Sequence, residues 1–391
     1  MDSDEEFAVP LPGFSDDDEQ QEASKSPPLA SGSTGARSKA LLQAIVDGNG
    51  SMHTPQLLDA DFWRALGAAS GLHCEEILAR DDDINSINSV GPRLRAMLDA
   101  RGYLQHDPEE ADSADIDLCG RINSGLRSIK AAGFAPAFIY CFDEPWLLLE
   151  RHWRLLGAVL APDDDGGSVE QVVLEPSLGA HVLSRSADAS QAEVQSSGTS
   201  EIQRHTTIGG AFSLPHRDHS TADCFDATAS PTLLSLWVPL TPVTTENGCM
   251  FVVSKEADML FNEPTHPNHL SPHKDVNWGG AIALAPTSAG TTLAWHGSLI
   301  HWGGRCSSFS REKPRASLTA AVRRRGARGT ALQAQQDASL PEITLEALPL
   351  PLCERLRYAC GSVLLYAYWY GLHAGVVPES IVEAWPECES D

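Results

Sequence analysis

"TLLSLWVPLTPVTTENGCMFVVSK", residues 232–255, decides the fold. It holds two short apolar runs separated by Pro242 and the Asn247-Gly248 pair. Each run is too short for a helix and rich in Val, Leu and aromatic residues, the pattern of strands joined by a turn. The same texture extends in both directions: "EQVVLEP" (170–176), "GTTLAWH" (290–296), "SLIHW" (298–302) and "RASLTAAV" (315–322) are also short apolar runs bounded by Gly, Pro or Asn. From about 168 to 325 no helix-length periodic segment interrupts them, which predicts an antiparallel sandwich or barrel.

On either side the periodicity becomes helical. "DADFWRALGAA" (59–69) and "GPRLRAMLDARG" (91–102) place apolar residues at helical spacing. "FDEPWLLLERHWRLLGAVLAP" (142–162) predicts a helix capped by Asp143, with an early Pro145, that stops at Pro162. The expected organisation is an α+β chain in four parts. Residues 1–38 form a disordered acidic tail, 39–160 a helical region packed on the core, 161–325 the β core, and 326–391 a linker and C-terminal helices. The long polar insertion 184–201 and the Pro- and His-containing loop 261–280 stand out, the latter as a candidate lid.

The chain carries a formal net charge of −25, unevenly spread. Its first 25 residues hold nine acids against Lys25 alone. Such a surface repels phosphate backbones and argues against a nucleic-acid partner. "RRRGAR" (323–328), the one basic cluster, reads as a solvated turn, with a local anion contact as the alternative. Nine cysteines, an odd number with no C-x-x-C pair, fit a reducing compartment. The acidic N-terminus lacks the features of a signal or transit peptide, no apolar run spans a membrane, and the C-terminal "ESD" is not a peroxisomal address, so the expectation is cytoplasmic.

The chemistry sits in "LPHRDHSTADCFD" (214–226). In extended chain, residues i and i+2 point the same way, so His216 and Asp218 deliver an imidazole and a carboxylate to one side. Two His and one carboxylate on one face are the ligands of a non-haem Fe(II) oxygenase. His73/Glu75 and His273/Asp275 share the H-x-[DE] pattern. The first lies in the helical region, where i and i+2 diverge, and the second lies too close to the next histidines to leave room for core strands. His216/Asp218 follows one apolar run and precedes another. The third ligand is His296 or His301, with His301 favoured by the strand downstream of it. Arg315 and Ser317 share one face of that predicted strand, a guanidinium fork and a hydroxyl suited to a planar carboxylate. His219 and Asp223 read as polar neighbours, and Trp295 and Trp302 as packing residues. Cys249 and Cys306 read as buried apolar groups, and His266, His269 and His273 as an exposed polar loop in preference to a second metal cluster.

The combination "LPHRDH", "LLSLWVPLTPVTTENGCMFVVSK", "GTTLAWHGSLIHWGGRCSS" and "PRASLT" resembles the phytanoyl-CoA dioxygenase family of Fe(II)/2-oxoglutarate oxygenases over roughly 205–322. The family's Pro-Gly-Ser-His segment is replaced here by "CMFVVSKEAD". The resemblance implies a double-stranded β-helix (jelly roll) with His216, Asp218 and His301 binding Fe(II). It also implies that Arg315, with Ser317, holds the distal carboxylate of the cosubstrate 2-oxoglutarate, and that Trp237 lines its pocket. The implied reaction uses O2 to hydroxylate a C–H bond of a small molecule, giving succinate and CO2. The retained Asp218 argues against a halogenase. Two rivals stand beside this reading: a cupin-like oxygenase that uses no 2-oxoglutarate, and a non-catalytic scaffold. The carboxylate anchor opposes the first, and the complete His/Asp/His/Arg set opposes the second. Substrate identity and oligomeric state are not written in the sequence.

Overall fold

The computed structural model describes residues 57, 59–76, 84–107, 113–160, 172–183, 215–270, 272, 275–286, 288–327 and 342–366. The acidic tail, the insertion 184–201, His273 and everything after Tyr366 lie outside the described residues.

Helices come first: α1 (Ala60–Gly67), α2 (Ile84–Arg101), α3 (Ser113–Ala131) and α4 (Asp143–Leu160), with a 3-10 turn over Pro136–Cys141 before α4. The strands are β1 (Tyr103–His106), β2 (Val172–Leu174), β3 (Gly179–Val182), β4 (Leu233–Pro239), β5 (Met250–Val253), β6 (Ala281–Leu284), β7 (Thr292–His296), β8 (His301–Gly303) and β9 (Ala316–Arg324). A one-turn helix α5 (Thr221–Cys224) precedes β4, and α6 (Leu352–Leu365) follows β9. The apolar runs of the sequence become β2, β4, β5, β7, β8 and β9. Three short strands go unforeseen: β1 inside the helical region, β3, and β6 after the 261–280 loop.

All strand pairs are antiparallel. The larger sheet runs β1-β7-β4-β9-β2, with β3 also on β9, and the smaller runs β6-β5-β8. Alternation along β4 assigns the faces. Leu234, Leu236 and Val238 join the apolar core shared with the helices. Trp237, Leu293 and Trp295 turn the other way and meet Met250, Val252 and Leu284 of the smaller sheet in one cluster. The larger sheet is thus covered by helices on one face and by the smaller sheet on the other.

Helix α4 presents Trp153, Leu156 and Leu160 to this core, at helical spacing. It begins at Asp143, as expected. The Asp143 carboxylate accepts from the backbone N–H groups of Glu75 and Glu76 at 3.0 Å and pairs with the buried Arg355 of α6. The C-terminal helix is tied to the N-terminal region by that pair, and to the β2–β3 connection by Leu178 N–H, which donates to Ser362 at 3.1 Å.

The basic run "RRRGAR" is only in part a solvated turn: Arg325 and Gly326 are exposed, but the two arginines before them are not. Arg323 is buried between Glu175 and Glu342, and Arg324 donates to Asp226 at 2.9 Å. The sequence shows the cations but not their acidic partners, which lie on distant segments.

Candidate metal centre

His216 and His301 are joined through their backbones. His216 N–H donates to His301 C=O at 3.1 Å, and His301 N–H returns the bond to His216 at 3.0 Å. This bridge lies beside β8, so the smaller sheet carries both imidazoles, with ring centroids 4.4 Å apart. Asp218, two residues from His216, brings Oδ1 to 3.7 Å from His216 Nε2 and 3.6 Å from His301 Nε2. Those separations are too long for hydrogen bonds. Ligands about 2.1 Å from one ion lie roughly 3 Å apart, so a shift of a few tenths of an ångström closes the set. Among the described residues this is the one group of three or more His, Cys, Asp or Glu side chains with ligand atoms converging within 4.8 Å.

The supporting contacts suit a metal. His301 Nδ1 lies 3.0 Å from Leu299 C=O, which fixes the proton on Nδ1 and leaves the Nε2 lone pair for a ligand bond. Ser235 Oγ donates to Asp218 Oδ2 at 2.7 Å. Burial alone would raise the Asp218 pKa. The charges available on His301, His216 and His219, together with the Ser235 hydroxyl, outweigh it and hold the carboxyl below its ordinary value.

His296, the alternative third ligand, lies elsewhere. Its N–H donates to Gly102 C=O and its ring packs on Phe225 at 4.7 Å. Burial pushes its pKa down to about 3. The five-residue spacing is resolved by the turn at Gly297–Leu299, which ends β7 and restarts the chain as β8 in the other sheet.

The three side chains open into a cavity of about 280 Å³. Arg315 and Trp237 line it too. Arg315 sits one residue before β9 and is buried, its guanidinium 5.2 Å from the Trp237 ring centre. It donates to Gly248 C=O and, at 3.0 Å, to Ser317 Oγ, as expected for two groups on one face. No carboxylate of the described residues pairs with it, and burial lowers its pKa to about 10.

Sequence reasoning missed several groups. Gly248, at φ +106, belongs to the turn held by Asn247, whose amide donates to Pro242 and Lys313 carbonyls. "ENG" is therefore the seat of Arg315 as well as a turn signal. His181 on β3 and Tyr366 after α6 form an aromatic wall of the cavity, with rings 5.9 Å apart and nearly perpendicular. Burial, then the Arg315 charge, brings the His181 pKa to about 3, so this imidazole is neutral. His269 is buried rather than exposed, as is Arg217. Trp295, Trp302, Cys249 and Cys306 are buried as expected.

Residues 158–313 match the family model of phytanoyl-CoA dioxygenase (PhyH). That stretch contains His216, Asp218, Trp237 and His301 and ends two residues before Arg315. No curated protein matches the chain. Among solved structures, the chain is similar to the non-heme alpha ketoglutarate dependent epimerase SnoN from nogalamycin biosynthesis. The identity is 19%, over 66% of this chain and 89% of that one, with a TM-score of 0.40. EvdO2 from Micromonospora carbonacea var. aurantiaca, complexed with 2-oxoglutarate, is 14% identical over 63% and 93%, with a TM-score of 0.35. AviO1 from Streptomyces viridochromogenes Tue57 is 15% identical over 61% and 97%, with a TM-score of 0.42. Over residues 158–313, the stretch that carries the His216/Asp218/His301 cluster, the chain is thus similar to the phytanoyl-CoA dioxygenase (PhyH) family.

Proposed function

We propose that the protein hydroxylates a C–H bond of a small organic molecule, with His216, Asp218 and His301 as the Fe(II) ligands and 2-oxoglutarate as cosubstrate. The observation that carries this reading is Arg315, a buried guanidinium without a described carboxylate partner, facing the same cavity as the ligand cluster. A buried cation of this kind is costly unless an anion meets it. A dicarboxylate with one end at the metal and the other on Arg315 and Ser317 meets both needs. The two facing antiparallel sheets are the arrangement that a jelly roll requires.

Iron, O2 and 2-oxoglutarate supply the oxidising power, and one atom of O2 goes to the substrate while the other leaves in succinate, with CO2 released. The chain's own residues position and exclude. Ser235 orients Asp218, and Leu299 C=O orients His301. Trp237 covers the Arg315 guanidinium, keeping water from the carboxylate it would hold. His181 and Tyr366 offer a neutral, aromatic wall to the substrate. Apart from Arg315, the one described cation lining the cavity is Arg217, which is bound to Asp258. That lining suits an uncharged molecule better than a phosphorylated thioester.

The test is anaerobic. Purified protein with Fe(II) and 2-oxoglutarate should give the weak visible charge-transfer band of iron-bound 2-oxoglutarate, and H216A and R315A should each lose it. Iron binding without the band would favour the cupin-like reading, and no iron binding would favour the scaffold.

A further inference from the structure

Arg217 lies between His216 and Asp218 in the sequence, yet its guanidinium is engaged with other parts of the chain. Nη1 and Nη2 donate to the two oxygens of Asp258 at 2.5 and 2.8 Å, with both side chains fully buried. Nε donates to His269 C=O at 2.7 Å, and Nη1 also donates to Ser298 C=O at 2.8 Å. The Arg217 backbone N–H donates to Leu270 C=O at 3.0 Å. His269 adds its imidazole, with Nε2 accepting from Thr221 N–H at 3.2 Å and Nδ1 lying 3.1 Å from Leu260 C=O. Asp258 Oδ1 further accepts from Leu260 N–H at 3.0 Å.

One side chain therefore fastens three segments together. These are the 216–218 stretch, the loop from Asp258 to Leu270, and the Gly297–Leu299 turn. Ser298 is the residue before Leu299, whose carbonyl orients the His301 ring. A buried ion pair gives little net stability over well-packed apolar residues, because desolvation offsets most of the attraction. What this pair supplies, and apolar packing would not, is a fixed separation between two chain segments, set by a planar fork with directional donors.

We propose that Arg217 and Asp258 are a positioning pair for the metal centre: they hold the segment of His216 and Asp218 at a set distance from the turn that delivers His301. The segment from Asp258 to Leu270, which overlaps the first half of the candidate lid 261–280, is then a buttress of the metal site. The inference rests on the reading of His216, Asp218 and His301 as ligands. Outer contacts of this kind, when removed from metal sites, typically weaken metal affinity about 10- to 100-fold.

The experiment titrates the metal-free full-length protein with Co(II), a visible-absorbing substitute for Fe(II), for wild type, H216A, R217K and D258N. The melting temperature of each metal-free protein is measured alongside. R217K keeps the charge and loses the fork, whereas D258N keeps the shape and loses the charge. The expected result is a Co(II) affinity lowered by about 10-fold or more in both, with a changed visible spectrum, in protein that is folded before metal is added. Folded variants with wild-type Co(II) affinity and spectrum, differing only in melting temperature, would overturn the proposal. If D258N fails to fold, R217K decides. If both fail, the uncharged R217M/D258L pair decides in the same way, weakened Co(II) binding supporting the proposal and wild-type binding overturning it. A wild type that does not bind Co(II), or an H216A protein that binds it as well as wild type, sinks the ligand assignment and this inference with it. Loss in H216A with wild-type binding in the folded 217 and 258 variants overturns this inference alone and leaves the ligand assignment standing.

Discussion

Ser235 Oγ donates to Asp218 Oδ2 at 2.7 Å, while Oδ1 of the same carboxylate faces both imidazoles. The two oxygens are divided between a strand hydroxyl and the ligand cluster, and the hydroxyl determines the rotation of the carboxylate. Ser235→Ala removes that restraint and adds no bulk. It should fold normally, with stability changed by about 1 kcal/mol, and bind Fe(II) or Co(II) about 10-fold more weakly. Metal titration beside thermal unfolding checks both halves. Unchanged affinity would show that His216 and His301 alone fix the site.

Arg315→Met separates function from stability. A truncated ion pair in a protein interior typically costs about 3–5 kcal/mol, because a buried charge is stranded. Arg315 has no described carboxylate to strand, so the variant should lose far less, within about 1–2 kcal/mol, mainly from the orphaned Gly248 carbonyl. Its affinity for 2-oxoglutarate should fall about 10- to 100-fold, the worth of charge-assisted hydrogen bonds. Calorimetric titration of the Fe(II)-loaded or Co(II)-loaded protein and denaturant unfolding of the metal-free form measure the two quantities.

Gly248→Ala attacks the seat of that arginine. At φ +106 an alanine is strained, and its Cβ would lie 2.4 Å from Leu183 Cδ1 and 3.0 Å from Gly304 C=O. A destabilisation of about 2 kcal/mol or more is expected, together with weaker 2-oxoglutarate binding, because the carbonyl that receives Arg315 moves. A variant with wild-type melting temperature would show that the turn tolerates a side chain.

Acid should unfold the protein early. His152, His181 and His296 are buried, and burial lowers each pKa to about 3. In the unfolded chain they titrate near the ordinary 6.5, so below that value the unfolded state takes up protons that the folded state refuses. Their contribution is complete above pH 6.5 and is lost as the pH falls from there toward 3, at up to about 4 kcal/mol per pH unit for the three together. Denaturant melts at pH 7.5 and pH 5.5 read this directly. Equal stability at the two values would mean that these histidines are charged when folded.

The legible parts of the sequence were those with a period or a rigid spacing. Six of the strands stand out because short apolar runs have sharp boundaries. The i, i+2 geometry of His216/Asp218 and of Arg315/Ser317 survives into the structure because extended chain preserves it. Strands β1, β3 and β6 are short, and "YLQH" and "GAHV" carry too few apolar residues to register. The partners of Arg217, Arg323 and Asp143 lie 41, 148 and 212 residues away, and nothing local signals a pairing over such distances. Tyr366 was equally silent, since its place in the cavity depends on how α6 docks.

The reciprocal backbone bonds between His216 and His301 have an evolutionary consequence. They close the intervening chain into a ring whose clasp is the candidate metal site itself. Strands β4 to β7 inside that ring are fixed by the sheets, whereas the loops between them, apart from the residues that seat Arg217 and Arg315, can change length while the clasp stays shut. Loops of this kind can be remodelled around the cavity without moving His216 relative to His301.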